Sequence, residues 1–283
     1  MYPSATATVA ELISNAWDAD AENVWVQMPF GDWKDGEIVV TDDGHGMTLD
    51  DAREAYLVVG RNRRQVSGQR TSRDRLVHGR KGIGKLAAFG TASVLELRTR
   101  QAASSELSFR LDYDKIRHRQ PTEPYEVEQS EDAAPLANPI TGEPLTHGTR
   151  IRLSGLKLKR SLDADQFVTS MSRRFALDSH EMTVWINGEQ LRRFNIDLQF
   201  RFPPDRLPPE ARFNGEWADE TLPDGRAVRW WIGFTPKPIG ADSQGISVLV
   251  RGKLAQRPFK FEKGGGLTGQ LGLEYLVGEV EAD

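Results

Sequence analysis

A chain of 283 residues, 38% hydrophobic and 28% charged, is long enough for two packed domains and can bury a substantial core. A net charge of −4 and a pI near 5.8 give no global basic signal for nucleic acid, and the lack of cysteine excludes disulfides and thiolate-held metal. No apolar run reaches the length of a membrane span and no signal-peptide pattern opens the chain, so a cytoplasmic protein without a membrane partner is expected.

The first predicted element is an amphipathic helix over Val9–Asp20, with Val9, Leu12, Ile13 and Ala16 on its apolar stripe and Thr8 as its cap. Glu11 and Asn15 stand four apart and project from one side, and Asp18 follows near that side. A carboxylate one turn before a carboxamide suits magnesium–nucleotide chemistry. The amide oxygen is a hard neutral ligand, and the carboxylate can take a proton from water. Alone, these residues fit a solvated helix face better, since such faces are ordinary.

Asn23–Met28 alternates as a strand, and Gly36–Val40 reads as its partner across a turn that includes Asp35-Gly36. Val40 runs into TDDGHGM (Thr41–Met47), where two glycines would let the backbone approach a ligand closely; hairpin turns use the same residues. Asp50–Gly60 is predicted as a second helix, with Leu49 and Leu57 inward.

From Arg61 to Lys85 the chain carries nine Arg or Lys and one acid, Asp74, and it ends in GRKGIGK (Gly79, Lys81, Gly82, Ile83, Gly84, Lys85). Amides exposed by these glycines, ahead of a helix at Leu86–Phe89, form an anion site suited to phosphate. The spacing is not the Walker pattern and no strand precedes it, which disfavours a conventional phosphate-loop NTPase. A solvated loop and a local nucleic-acid contact are the alternatives for the charges.

Ser93–Thr99 and Glu106–Asp112 read as strands, Gln120–Leu145 as a Pro- and Glu-rich surface insertion, and His147–Leu153 as a strand with Thr149, Ile151 and Leu153 on one face. Ser161–Leu177 is predicted as a linking helix capped by Ser161. Hairpin signals then follow at Asn187-Gly188 and Asp224-Gly225, with further strands at Val228–Phe234 and Gly245–Val250.

Taken in order, ELISNAWDAD, DDGHGM, GRKGIGK and GTRIRL resemble the four nucleotide-binding motifs of the GHKL superfamily, which includes DNA gyrase B, heat-shock chaperones, histidine kinases and MutL. The likeness covers roughly the first 155 residues and is nearest to the MORC-like, heat-shock-chaperone-like and MutL-like ATPases of bacteria. It implies a Bergerat fold: an α/β sandwich with a mixed, mainly antiparallel sheet, ATP held between helices and sheet under a lid, and a β-rich second module. The expected divisions are residues 1–156 with a lid at about 60–85, a linking helix at 157–180, and a second module at 181–283, incomplete and part of a longer protein.

By that resemblance Glu11 matches the general base, Asn15 the magnesium ligand and Asp18 a helper acid. Asp42 matches the acceptor for the adenine amino group. Gly44, Gly46 and Met47 match the loop beside the base, and Thr149 a hydroxyl that holds adenine through water. Gly79, Lys81, Gly82, Ile83, Gly84 and Lys85 match the phosphate-cradling segment, and the lid cations are assigned to phosphate sensing or lid closure. In the second module Lys260 is the first choice for the cation reaching the γ-phosphate, ahead of Lys253 and Lys263. The implied ligands are ATP and Mg2+, and the implied partner a second copy of the chain in an ATP-dependent homodimer. The implied activity is slow ATP hydrolysis driving a conformational switch. A non-catalytic nucleotide-gated scaffold and a histidine-kinase-type phosphotransferase are the alternatives; Glu11 argues against the last, since such kinases carry an amide there.

Overall fold

The computed structural model describes residues 4–31, 33–52, 70–75, 77, 84–118, 128–158, 161–175, 182–192, 196–202, 211–213, 217–239, 244–250, 253–259 and 272–282, with backbone alone at 84–87, 173, 211–213, 253–254 and 256–257. The chain divides into two compact units, Met1–Met171 with Ser179–Arg192, and Ser172–Asp178 with Arg193–Asp283.

Helices are α1 (Ala5–Asp18), α2 (Leu49–Ala52), α3 (Gly84–Thr91), α4 (Tyr113–His118) and α5 (Ala164–Arg174). The strands of the first sheet are β1 (Asn23–Gln27), β2 (Ile38–Asp42), β3 (Ala92–Arg100), β4 (Leu107–Asp112), β5 (Gly148–Leu156), β6 (Thr183–Ile186) and β7 (Glu189–Gln190). Their order is β4-β3-β5-β2-β1-β6-β7, antiparallel throughout except for the parallel β1–β6 pair.

Period-two alternation gives this sheet two different faces. Register aligns Val24, Val26, Ile38, Val40, Ile151, Leu153, Leu95 and Leu97 on one face, and all are buried. α1 and α3 pack beside each other against this part of the unit, with Val9 and Ile13 fully enclosed. Each such side chain contributes about 1.5–3 kcal/mol. Thr8 Oγ1 and Thr91 Oγ1 hydrogen-bond at 2.6 Å between the two helices.

The opposite face carries Glu96, Arg98, Arg150 and Arg152, again neighbours in register. Buried Glu96 accepts from Ser130 Oγ, the Glu131 and Asp132 amides and Arg152 Nη1, at 2.7–3.1 Å. Arg150 pairs with Asp132, and Arg152 also pairs with Glu37. The described part of the predicted insertion is thus fastened across the sheet by charge.

Several local expectations are corrected. Ser4, not Thr8, caps α1 by accepting the Ala7 N–H at 3.2 Å, because the helix begins four residues earlier and Thr8 is buried within it. Leu49 opens α2 and is 49% exposed rather than inward, since only Ala52 of that turn is buried. Leu57 lies outside the described residues. Asp163 occupies the cap of α5, accepting the Gln166 N–H at 2.8 Å, so the helix starts after Ser161. The strand pair β6–β7, expected to open the second module, is the edge of the first sheet. Asn187 (φ +48°) and Gly188 (φ +86°) make the predicted turn, and the Asn187 side chain exchanges hydrogen bonds with the Met28 backbone at 2.7 and 3.0 Å.

The second unit has β8 (Phe200–Phe202), β9 (Ala211–Phe213), β10 (Ala218–Thr221), β11 (Ala227–Phe234), β12 (Gly245–Val250), β13 (Lys253–Phe259) and β14 (Leu276–Ala282). The sheet order is β13-β12-β14-β11-β10-β9, and β8 pairs with β11. Trp217, Trp231, Leu249 and Val277 form its buried cluster. Arg201 stacks over the Trp231 ring and Arg229 over Trp217, each at 4.8 Å.

Candidate functional site

The apolar face of the first sheet ends in three polar residues. Asp42, Thr149 and Thr99 are cross-strand neighbours at one end of β2, β5 and β3, and all three are buried. They occupy the positions that Val40, Ile151 and Leu97 hold two residues further along. A buried polar row at the end of an apolar face needs partners, and the row supplies many of its own.

Thr99 Oγ1 donates to the Gly148 carbonyl at 2.9 Å, accepts the Met47 N–H at 3.0 Å and lies 3.1 Å from Thr149 Oγ1. Thr99 therefore joins the predicted Met47 and Thr149 through one hydroxyl. It was not among the predicted site residues, although Leu95-Leu97-Thr99 shares the alternation that placed Thr149.

Asp42 closes β2 and accepts the Gly44 N–H on Oδ1 at 2.9 Å. Burial pushes its carboxyl up to about 7; the Gly44 amide lowers it, the Asp43 charge adds to the rise, and the Thr149 amide lowers it again. Its neighbour Asp43 is turned to structure, accepting the Glu22 and Asn23 amides and Asn23 Nδ2, each at 2.8 Å. The two adjacent acids are thereby assigned different work.

The loop that follows is packed too closely for side chains. A Cβ on Gly44 would lie 2.7 Å from the Ala19 carbonyl and 2.9 Å from Asp42 Oδ1. Gly46 sits at φ +68°, and a Cβ there would overlap the Arg100 carbonyl. His147 Nδ1 donates to the Gly44 carbonyl at 2.8 Å, and the His45 N–H donates to the Ala19 carbonyl at the same distance. His147 is a second loop-holding residue that spacing alone did not reveal.

Above the loop, α1 presents Glu11 and Asn15 half-buried, one turn apart, while Asp18 in its last turn is 5% exposed. α1 therefore meets the loop through Ala19 at its C-terminal cap, carries the candidate metal ligand Asn15 in its last turn and the candidate base Glu11 one turn earlier, at mid-helix. Among the described residues no group of three or more His, Cys, Asp or Glu could hold a metal ion.

The cations of the predicted lid that can be described have protein partners. Arg75 is buried, donates to the Ala21 carbonyl at 2.7 Å and lies 4.7 Å over the Trp17 ring. Arg73 pairs with Glu22 at 2.5 Å, and Arg70 donates to the Asp74 carboxylate and carbonyl at 2.8 Å. In this structure Arg73 and Arg75 tie the 70–75 stretch to the end of α1, and Arg70 braces the stretch within itself. Gly79, Lys81, Gly82 and Ile83 lie outside the described residues, as do Lys260 and Lys263. Gly84 and Lys85 begin α3 and Lys253 begins β13, described in backbone only.

The described helices include none long and apolar enough to cross a membrane. A family model described as "Histidine kinase-, DNA gyrase B-, and HSP90-like ATPase" matches residues 2–143. The chain is also 27% identical over 305 residues to a protein from Herpetosiphon aurantiacus described as "Putative type II restriction enzyme HgiDII". That match covers 100% of this chain and 46% of the relative, so the chain spans less than half of that protein's length.

Proposed function

Because the chain belongs to the histidine kinase-, DNA gyrase B- and HSP90-like ATPase family, we propose that it binds magnesium–ATP at the polar end of the first sheet and hydrolyses it slowly, as a switch. The observation that carries this reading is the row Asp42–Thr149–Thr99, set at the edge of an apolar face and closed by Gly44 and Gly46. The row stands where the buried apolar face ends, and an exocyclic amino group needs an acceptor such as the Asp42 carboxylate.

In this reading Glu11 takes a proton from the attacking water, Asn15 ligates the magnesium held by the phosphates, and Asp18 supports that end of α1. Thr149 holds the base through water, with Met47 beside it. Gly79, Lys81, Gly82, Ile83, Gly84 and Lys85 cradle the phosphates, and Lys260 stabilises charge developing at the γ-phosphate. ATP, but not ADP, promotes self-association, because only ATP presents the γ-phosphate to those groups. The resemblance of the whole chain to the restriction-enzyme relative supports DNA processing as the activity that the switch controls in a longer protein.

Steady-state ATP hydrolysis and light-scattering mass, each with ATP, a non-hydrolysable analogue and ADP, test the proposal. Turnover with mass doubling in the analogue supports it. A chain that neither hydrolyses ATP nor changes mass contradicts the switch.

A further inference from the structure

Asp20 is used by none of the steps above, yet it is buried and its backbone is left-handed, φ +58°. A residue other than glycine persists there only where its surroundings fix it. Here the fixing comes from one short stretch. The Asp20 carboxylate accepts from Thr71 Oγ1, from Ser72 Oγ at 2.6 Å and from the Arg73 N–H at 3.3 Å. Burial works to raise its pKa, but the Ser72 and Thr71 hydroxyls, the Arg73 amide and the Arg75 charge together hold it below the ordinary carboxylate value. Arg75 grips the adjoining residues, donating to the Ala21 carbonyl at 2.7 Å and covering Trp17. Thr71 Oγ1 also accepts the Arg75 N–H at 3.2 Å, which makes the stretch one braced unit.

The turn held in this way has a second side. The Ala19 carbonyl accepts the His45 N–H at 2.8 Å, and a Cβ on Gly44 would lie 2.8 Å from Ala19 Cβ. Residues 19–21 are therefore clamped between the 71–75 stretch and the loop that carries Asp42 Oδ1 on the Gly44 amide. We infer that Asp20 is a positioning residue for nucleotide binding: by bracing residues 71–75 against the end of α1 it fixes the Gly44–His45 loop, and through it Asp42. The inference rests on the nucleotide reading of the site. It places the effect at the base, so ATP and ADP must feel it equally.

Two variants remove the brace from opposite sides, Asp20→Ala and the double variant T71V/S72A. Each should speed tryptic cleavage after Arg73 and Arg75 while keeping a cooperative thermal transition. Each should weaken ATP and ADP binding by the same factor, roughly 10-fold, as a loop displaced by a fraction of an ångström does, with kcat changed less than about twofold. Faster cleavage with unchanged affinity overturns the inference, and so does a loss for ATP that ADP does not share. A wild-type chain that binds neither nucleotide instead overturns the reading of the site, and the inference falls with it.

Discussion

Gly44 donates its backbone N–H to Asp42 Oδ1 at 2.9 Å, so one oxygen of this buried carboxyl is committed to the loop behind it. An asparagine at position 42 would have to turn its carbonyl toward Gly44, leaving its NH2 where the second oxygen stands. That group is a donor, and the adenine amino group is a donor as well. Asp42→Asn should therefore lose ATP binding by 100-fold or more, on the order of 3 kcal/mol for an unpaired buried polar group. Equilibrium dialysis with labelled ATP checks this, and near-wild-type retention contradicts it.

The raised carboxyl gives a pH dependence with a definite sign. The folded-state pKa of about 7 lies above the unfolded value of 3.8, so between these values the folded chain holds a proton that the unfolded chain releases. Wild-type stability must then fall as pH rises through that window and level off above it. Relative to wild type, Asp42→Asn should gain roughly 4 kcal/mol between pH 4 and pH 8 in urea unfolding. ATP affinity should move oppositely, because the ionised carboxylate is the acceptor. Binding at pH 6 should be about 10-fold weaker than at pH 8, with proton release on binding. A flat profile in both measurements contradicts the assignment.

Glu11 and Asn15 share one side of α1 but are given different chemistry. Glu11→Ala should keep ATP affinity while turnover falls about 100-fold or more, as for loss of a general base. Asn15→Ala should raise the magnesium concentration needed for ATP binding. Turnover by Glu11→Ala at the wild-type rate would move the base elsewhere.

Thr99→Val preserves shape and removes the hydroxyl shared by Met47, Gly148 and Thr149. Leaving the Met47 N–H and the Gly148 carbonyl without it should cost about 1–3 kcal/mol in urea unfolding. ATP affinity should fall too, and Thr99→Ser should restore both. Wild-type stability in the valine variant would remove Thr99 from the site.

Glu96 provides the contrast, because its four donors lie on the charged face of the sheet. Glu96→Ala takes the acceptor from the Glu131 and Asp132 amides and leaves Arg152 with Glu37 alone, a change of about 1–3 kcal/mol. Chemical denaturation should show that loss, while the ATP affinity of the folded fraction stays unchanged. A selective loss of ATP binding would place Glu96 in the wrong role.

How much of this was legible in the sequence depended on the range of the interaction. The α1 stripe of Val9, Leu12, Ile13 and Ala16 is buried as its spacing predicts, since helical periodicity is local. Asp42, Gly44 and Gly46 fall within five residues, and their loop could be read as a tight one for the same reason. The Asn187-Gly188 turn was equally plain, but not the sheet that its strands join. That depends on Asn187 meeting Met28, which lies 159 positions away. The cations Arg73 and Arg75 looked free because Glu22, Trp17 and Ala21 are about fifty residues earlier in the chain. Thr99 was hidden differently: its alternation was visible, but its value comes from register with Thr149 across β3 and β5.

The central claim is that the Asp42 end of the first sheet recognises adenine. Titration calorimetry of the wild-type chain with magnesium–ATP and magnesium–GTP at pH 8 tests it most directly. Guanine carries a carbonyl where adenine carries the amino group, so it would set an acceptor against the Asp42 carboxylate. ATP should bind at least about 100-fold more tightly than GTP, because a mismatched buried hydrogen bond costs roughly 3 kcal/mol. Equal affinities for the two nucleotides would contradict the account.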